Sequence, residues 1–179
     1  MPVQIGQKNA ADFTDPLGML SDCHRRIERF LAALLTLARE AKGRELDENQ
    51  RSSLRSALEY FRTSGPRHTA DEEESLFPRM RACSTAAAAL RSVEALEADH
   101  AVADRAHREI DALGARWLDD GRLSLADASR MAELLESLGT LYARHIAIED
   151  HEVFPAAAGA LAATDINAIG VEMAARRGL

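Results

Sequence analysis

Two segments of this chain repeat one chemical pattern. HTADEEESLFP begins at His68 and HIAIEDHEVFP at His145, and each reads His-x-x-x-Glu, an acidic residue, then hydrophobic-Phe-Pro, with Pro ten residues after His. A His and a Glu four apart on a helix lie on one face, a turn from each other. His68 with Glu72 and His145 with Glu149 can therefore each grip one metal site. Each copy is preceded by a single histidine: His24 lies 44 residues before His68, and His100 lies 45 before His145. Both fall on apolar stripes, His24 between Leu20 and Ile27 and His100 between Leu96 and Ala103. Four neutral imidazoles and two carboxylates in a helical core describe a dinuclear site for a borderline metal with N/O preference. One carboxylate from each motif can bridge two ions, and the histidines fill part of each shell. Positions then remain for an oxo or hydroxo bridge and for a small ligand. No thiolate stands in position, which argues against structural zinc. Two iron ions are the leading expectation, with manganese or zinc as alternatives.

The elements that must position these residues read as helices throughout. Ala, Leu, Arg and Glu dominate a chain of 179 residues in which only 4% are aromatic, and all four are strong helix formers. The β-branched residues never gather into an alternating run. Asp15-Pro16 starts a first helix with Leu20, Ile27, Leu31 and Leu34 on one face, ending near Lys42-Gly43. A second starts near Leu46-Asp47 and reaches about Arg81, with a kink expected at Gly65-Pro66. A third runs from about Thr85 to Leu118. A fourth opens at Ser124 or Asp127 and ends near Phe154-Pro155. The fold class expected is all-α, an up-down-up-down antiparallel four-helix bundle with a short C-terminal helix. Counted from the three connections, the four histidines fall at one depth; from the first, His24 and His68 differ by about two residues, roughly 3 Å of helical rise.

The expected organisation is an extended lead-in over 1–14, one bundle domain over 15–158, and a tail or short helix over 159–179. Net charge is −7 and the basic residues form no stripe, so no nucleic-acid partner is expected. No apolar run approaches the ~18 residues of a membrane span. Cys23 and Cys83 lie far apart, belong to no C-x-x-C pattern and follow no signal-like segment, so they read as reduced thiols of a cytoplasmic protein. Cys23 points off the core line and is expected to be inert.

Three further residues are candidates for an additional ligand or for a place just outside the ligands: Asp104, four after His100; His107, a further turn along; and Tyr142, three before His145. Position i+7 lies roughly 10 Å along the axis from His100, so packing is the default for His107, as it is for Tyr60 and Tyr142. Of the run Asp71–Glu74 only Glu72 has the inward phase, and Asp150, His151 and Glu152 point mainly to solvent. Phe77-Pro78 and Phe154-Pro155 read as helix-end packing units.

His24, HTADEEESLFP, His100 and HIAIEDHEVFP together resemble the hemerythrin-like (HHE cation-binding) family over residues 17–155. The resemblance implies a four-helix bundle with two irons bridged by Glu72 and Glu149. It also implies His24 with His68, and His100 with His145, as terminal ligands. Hemerythrins that carry oxygen reversibly have a fifth histidine four residues after the one on the third helix, where this chain has Asp104. The expectation therefore moves from oxygen storage to a protein that senses or binds oxygen, nitric oxide or iron, non-catalytic in the first reading. Two alternatives stand beside it. One is a redox enzyme acting on peroxide, or an iron donor like the similarly spaced iron–sulfur cluster repair proteins. The other is a helical interaction module whose metal stiffens the core, for which no protein partner is readable.

Overall fold

A computed structural model describes residues 11–83 and 90–179. The first ten residues of the expected lead-in, and the expected start of the third helix at Thr85, lie outside the described residues. Helix α1 spans Pro16–Ala41, α2 Glu48–Ala70, α3 Phe77–Ala82, α4 Leu90–Asp120, α5 Leu125–Ile148, α6 Phe154–Ala160 and α7 Ala163–Ala175. The starts are set by side chains. Asp15 accepts from Gly18 N at 3.0 Å, Asp47 and Gln50 form a reciprocal capping box, and Ser124 Oγ accepts from Asp127 N at 3.0 Å. Lys42 closes α1 in the left-handed region at φ 49°, and Gly43 follows at φ 74°.

Long helices α1, α2, α4 and α5 pack in a ring, α1 on α2 and α5, and α4 on α5 and α2. Helix α2 runs on through Gly65 and Pro66 without a break. The main departure from expectation comes at the two motifs. Between α2 and α3 the chain forms a π-helical segment, Asp71–Leu76, and between α5 and α6 another, Glu149–Val153. The helix of the first motif runs past Phe77-Pro78 to Ala82, close to the expected Arg81, whereas that of the second continues past its expected end at Phe154-Pro155 to Ala160. Pro78 and Pro155 have no N–H to give to the carbonyl four residues earlier. A widened turn lies over that gap, and Phe77 and Phe154 donate instead to the carbonyls of Glu72 and Glu149. Single π turns inside helices occur often at functional sites.

The apolar interior divides in two. One cluster, around Leu34, Leu54, Ile110, Trp117 and Met131, fills the end where α1 meets α2 and α4 meets α5. The other, around Leu20, Leu76, Phe77, Leu96, Val153 and Phe154, also takes in Ile169 and Met173 of α7. On every long helix the motif residue falls between these clusters: Leu20–His24–Ile27, Phe61–His68–Leu76, Leu96–His100–Ala103 and Leu138–His145–Val153. A polar layer is thus sandwiched between two apolar ones.

Candidate metal centre

Each helix supplies this layer for a local reason. His24 and His100 occupy inward positions on α1 and α4, whereas His68 and His145 sit in the last turns of α2 and α5. Glu72 and Glu149 follow one turn later, inside the π segments. All six side chains are buried, and both glutamates are at 0% exposure.

Their ligand atoms form two groups. His24, His68, Glu72 and Glu149 offer atoms within 4.8 Å of one another, and so do Glu72, His100, His145 and Glu149. The two groups share both carboxylates. His24 Nε2 lies 3.1 Å from Glu149 Oε2 and 3.9 Å from Glu72 Oε1, and His68 Nε2 lies 3.4 Å from Glu72 Oε1. On the other side, His100 Nε2 is 3.3 Å from Glu72 Oε2, and His145 Nε2 is 3.1 Å from Glu149 Oε2. His100 and His145 turn their Nε2 atoms toward each other at 3.1 Å.

Both oxygens of Glu72 and both of Glu149 are buried without a hydrogen-bond partner. A buried carboxylate left so costs several kcal/mol unless a cation compensates it. Each group brings buried carboxylate oxygens and imidazole nitrogens within reach of one another, a donor set that suits a metal ion with N/O preference. Without a metal the charges fall on protons. Burial opposes protonation of His68, but the charges of the Glu72 carboxylate and the Cys23 thiolate outweigh it and lift the imidazole to about 10. His100 is lifted to about 9, with Glu72 and Glu73 outweighing burial. His24 is raised against burial by Glu149, and Glu149 is held well below the usual carboxylate range by His145 and His24 despite its burial.

The imidazoles are held from behind. His24 Nδ1 is 2.9 Å from Asp150 Oδ1, which also accepts from Ser21 Oγ, while Arg25 holds Asp150 Oδ2. His100 Nδ1 is 2.8 Å from Glu73 Oε1. His145 Nδ1 faces Asp99 Oδ2 at 3.5 Å, and Asp99 is pinned by Arg144 at 2.6 and 2.7 Å. Carboxylates of this kind orient a ligating histidine and raise its basicity. His68 differs, since its neighbour is the Cys23 thiol. Cys23 is buried, and its Sγ lies 3.2 Å from Tyr60 Oη. Burial opposes the thiolate, yet His68 and Tyr60 bring Cys23 down to about 7. Glu73 and Asp150 are therefore corrections to the sequence reading, which turns them outward, and Cys23 is another, because it lies in the core and not off its line. Asp71 is another, because it is fully buried.

Asp104, His107 and Tyr142 stand beside the two groups without joining them. Asp104 is exposed and paired with Arg108. His107 stacks on Phe61 at 4.3 Å, and its Nε2 is 3.0 Å from Tyr142 Oη. Burial pushes His107 down to about 4, so it is neutral at pH 7. All three line a cavity of about 280 Å³ between α2, α4 and α5 that reaches His68, His100 and His145. A second hollow shares Phe61, Pro66, Asp104 and His107 with it and reaches Arg62, Arg108 and Asp111.

A four-helix bundle with a buried layer of four histidines and two glutamates defines a class of metal-binding helical proteins. The chain belongs to the hemerythrin HHE cation-binding domain family, whose model matches residues 15–157. It is also similar to an uncharacterized protein of Haemophilus influenzae, with 27% identity over 167 residues, 93% of this chain and 92% of that one. Among the described residues no helix is long and apolar enough to cross a membrane.

Proposed function

We propose that this chain is a non-haem di-iron protein that senses or binds a small ligand, oxygen or nitric oxide, or iron itself, at a carboxylate-bridged centre. Glu72 and Glu149 would be shared between the two ions, with His24 and His68 holding one and His100 and His145 the other. The observation that carries this reading is that both four-residue groups share the same two fully buried carboxylates. Iron in such a centre supplies open coordination positions and redox-active electrons. The chain's own residues do the rest. Glu73 and Asp150 fix the His100 and His24 rings, and the apolar clusters on either side exclude water. The cavity along Tyr142 and His107 is the route by which oxygen, nitric oxide or peroxide reaches the His100 and His145 side. Stopped-flow mixing of the reduced, iron-loaded protein with oxygen or nitric oxide tests the reading; an optical spectrum unchanged by both contradicts it.

A second reading is peroxide turnover. It is favoured by the Tyr142 hydroxyl, which lines that cavity together with His68, His100 and His145. Turnover of hydrogen peroxide that is abolished by Glu72→Ala supports it, and turnover no faster than that of free iron sinks it.

A further inference from the structure

The two copies of the repeat differ at the buried position just before their glutamates. The second copy has Ile148, partly buried against the apolar cluster, and the first has Asp71 at 0% exposure. Ile148 demonstrates that the repeat can form with an apolar residue at this place. A carboxylate there is costly unless paired, and its partners come from more than 100 residues away. Arg176 Nη1 donates to Asp71 Oδ1 at 3.0 Å and Arg177 Nη2 to Asp71 Oδ2 at 2.6 Å. Arg176 also donates to Ser75 Oγ at 2.8 Å and to Glu74 Oε2 at 3.2 Å. Both arginines thus reach the first π segment.

The tail that carries them is itself seated firmly. Ile169 and Met173 are buried in the cluster with Leu20, Leu76 and Phe77. Gly170 meets the carbonyl of Phe13 so closely that a Cβ would fall 1.9 Å from it. Arg79 and Glu172 pair through two bonds of 2.7 and 3.0 Å. The second π segment is held differently, through Asp150 to Ser21, His24 and Arg25 of α1.

We infer that Asp71, Arg176 and Arg177 are positioning residues for the metal centre: the tail straps down the π segment that carries Glu72, so tail docking and metal loading favour each other. This inference rests on the reading of the six residues as a metal site. The physical route is short. Asp71 adjoins Glu72, whose carbonyl takes the π bond from Phe77 and whose carboxylate serves both groups. Undocking the arginines leaves a buried charge that must turn toward water, and the turn takes Glu72 with it. By linkage, ions that fix Glu72 also hold the tail in place.

The test uses the full chain loaded with ferrous iron, exposed to excess chelator, with release followed optically and hydrogen exchange measured over residues 163–179. Arg176→Ala/Arg177→Ala is expected to speed iron release by roughly tenfold, an ordinary coupling strength. In an Asp71→Ile background the same pair of changes is expected to alter release less than about twofold, since no buried charge remains to be unpaired. Exchange in residues 163–179 is expected to be slower in the loaded native protein than in the metal-free one. An equal effect of the arginine changes in both backgrounds, or none in the native background, overturns the strap. If the arginine variant does not fold, equal tail exchange with and without iron overturns it. Failure of the native chain to take up iron overturns the underlying metal reading instead, and the strap with it.

Discussion

His24 and Asp150 stand 126 residues apart and meet through a 2.9 Å contact between Nδ1 and Oδ1. The same relation recurs with the hairpins exchanged, since His100 Nδ1 meets Glu73 Oε1 at 2.8 Å. Glu73 and Asp150 are the residues immediately after the two glutamates of the repeat. Each copy of the motif thus supplies a His, a Glu, and a carboxylate that orients the single histidine of the other hairpin. This exchange ties the two halves of the bundle together at the level of the metal layer.

Removing either orienting carboxylate should weaken metal binding while leaving the bundle folded. Glu73→Ala and Asp150→Ala are each expected to lower affinity by about 10- to 100-fold, the usual loss for such partners. Competition against a chelator of known affinity measures it, with far-ultraviolet circular dichroism as the folding control. Affinity unchanged in both variants would show that the contacts have no influence on the ligands.

The pH dependence has opposite signs in the two states of the protein. Without metal, His68 is raised to about 10 and His100 to about 9, with Glu72 outweighing the opposing burial at both. Raised folded values mean stabilisation that is full below the unfolded value of about 6.5 and lost as pH climbs through the folded ones. The metal-free protein should therefore melt at progressively lower temperature between pH 7 and pH 10. Metal must displace those protons, so affinity should tighten over the same range. Melting curves and chelator titrations across it check both slopes.

How much of this was legible in the sequence depends on where the 3.6-residue period holds. It holds up to Glu72 and Glu149, and spacing alone picked out the six residues that the fold gathers in one layer. Beyond them the π turns shift the phase, so Glu73 and Asp150 do not point where an α-helical wheel sends them. The signal was present, since both copies carry an acidic residue directly after Glu, but its role needed the wider turn. Asp71 was misread for another reason. Its partners Arg176 and Arg177 lie in a tail whose docking no local pattern reveals. Cys23 was misread because its position is set by Tyr60 and His68 on another helix.

Tyr142 and His107 should behave as a pair. Tyr142→Phe leaves His107 Nε2 without its 3.0 Å partner, at a cost of about 1–2 kcal/mol. Adding His107→Leu should recover part of that loss, because removing both polar partners is cheaper than removing one. Urea denaturation of the two single variants and the double variant reads the coupling; strictly additive losses would show that the contact carries no energy.

Two glycines should respond in opposite directions to alanine. Gly139 lies inside α5 with no atom within 4 Å of an added Cβ, so Gly139→Ala should stabilise by about 0.5–1 kcal/mol. At Gly170 the Phe13 carbonyl occupies that place, and Gly170→Ala should cost about 1–3 kcal/mol. Thermal or chemical denaturation separates them, and a neutral Gly170→Ala would show that α7 does not dock tightly on the segment before α1.

The most direct test of the central claim is the iron content of protein loaded anaerobically, freed of excess metal and then oxidised, read together with its near-ultraviolet spectrum. Two irons per chain with strong bands of an oxygen-bridged pair are expected for the native protein, and a large loss of both for Glu72→Ala. One iron or fewer per native chain, or two that survive Glu72→Ala unchanged, would contradict a centre built on shared carboxylates.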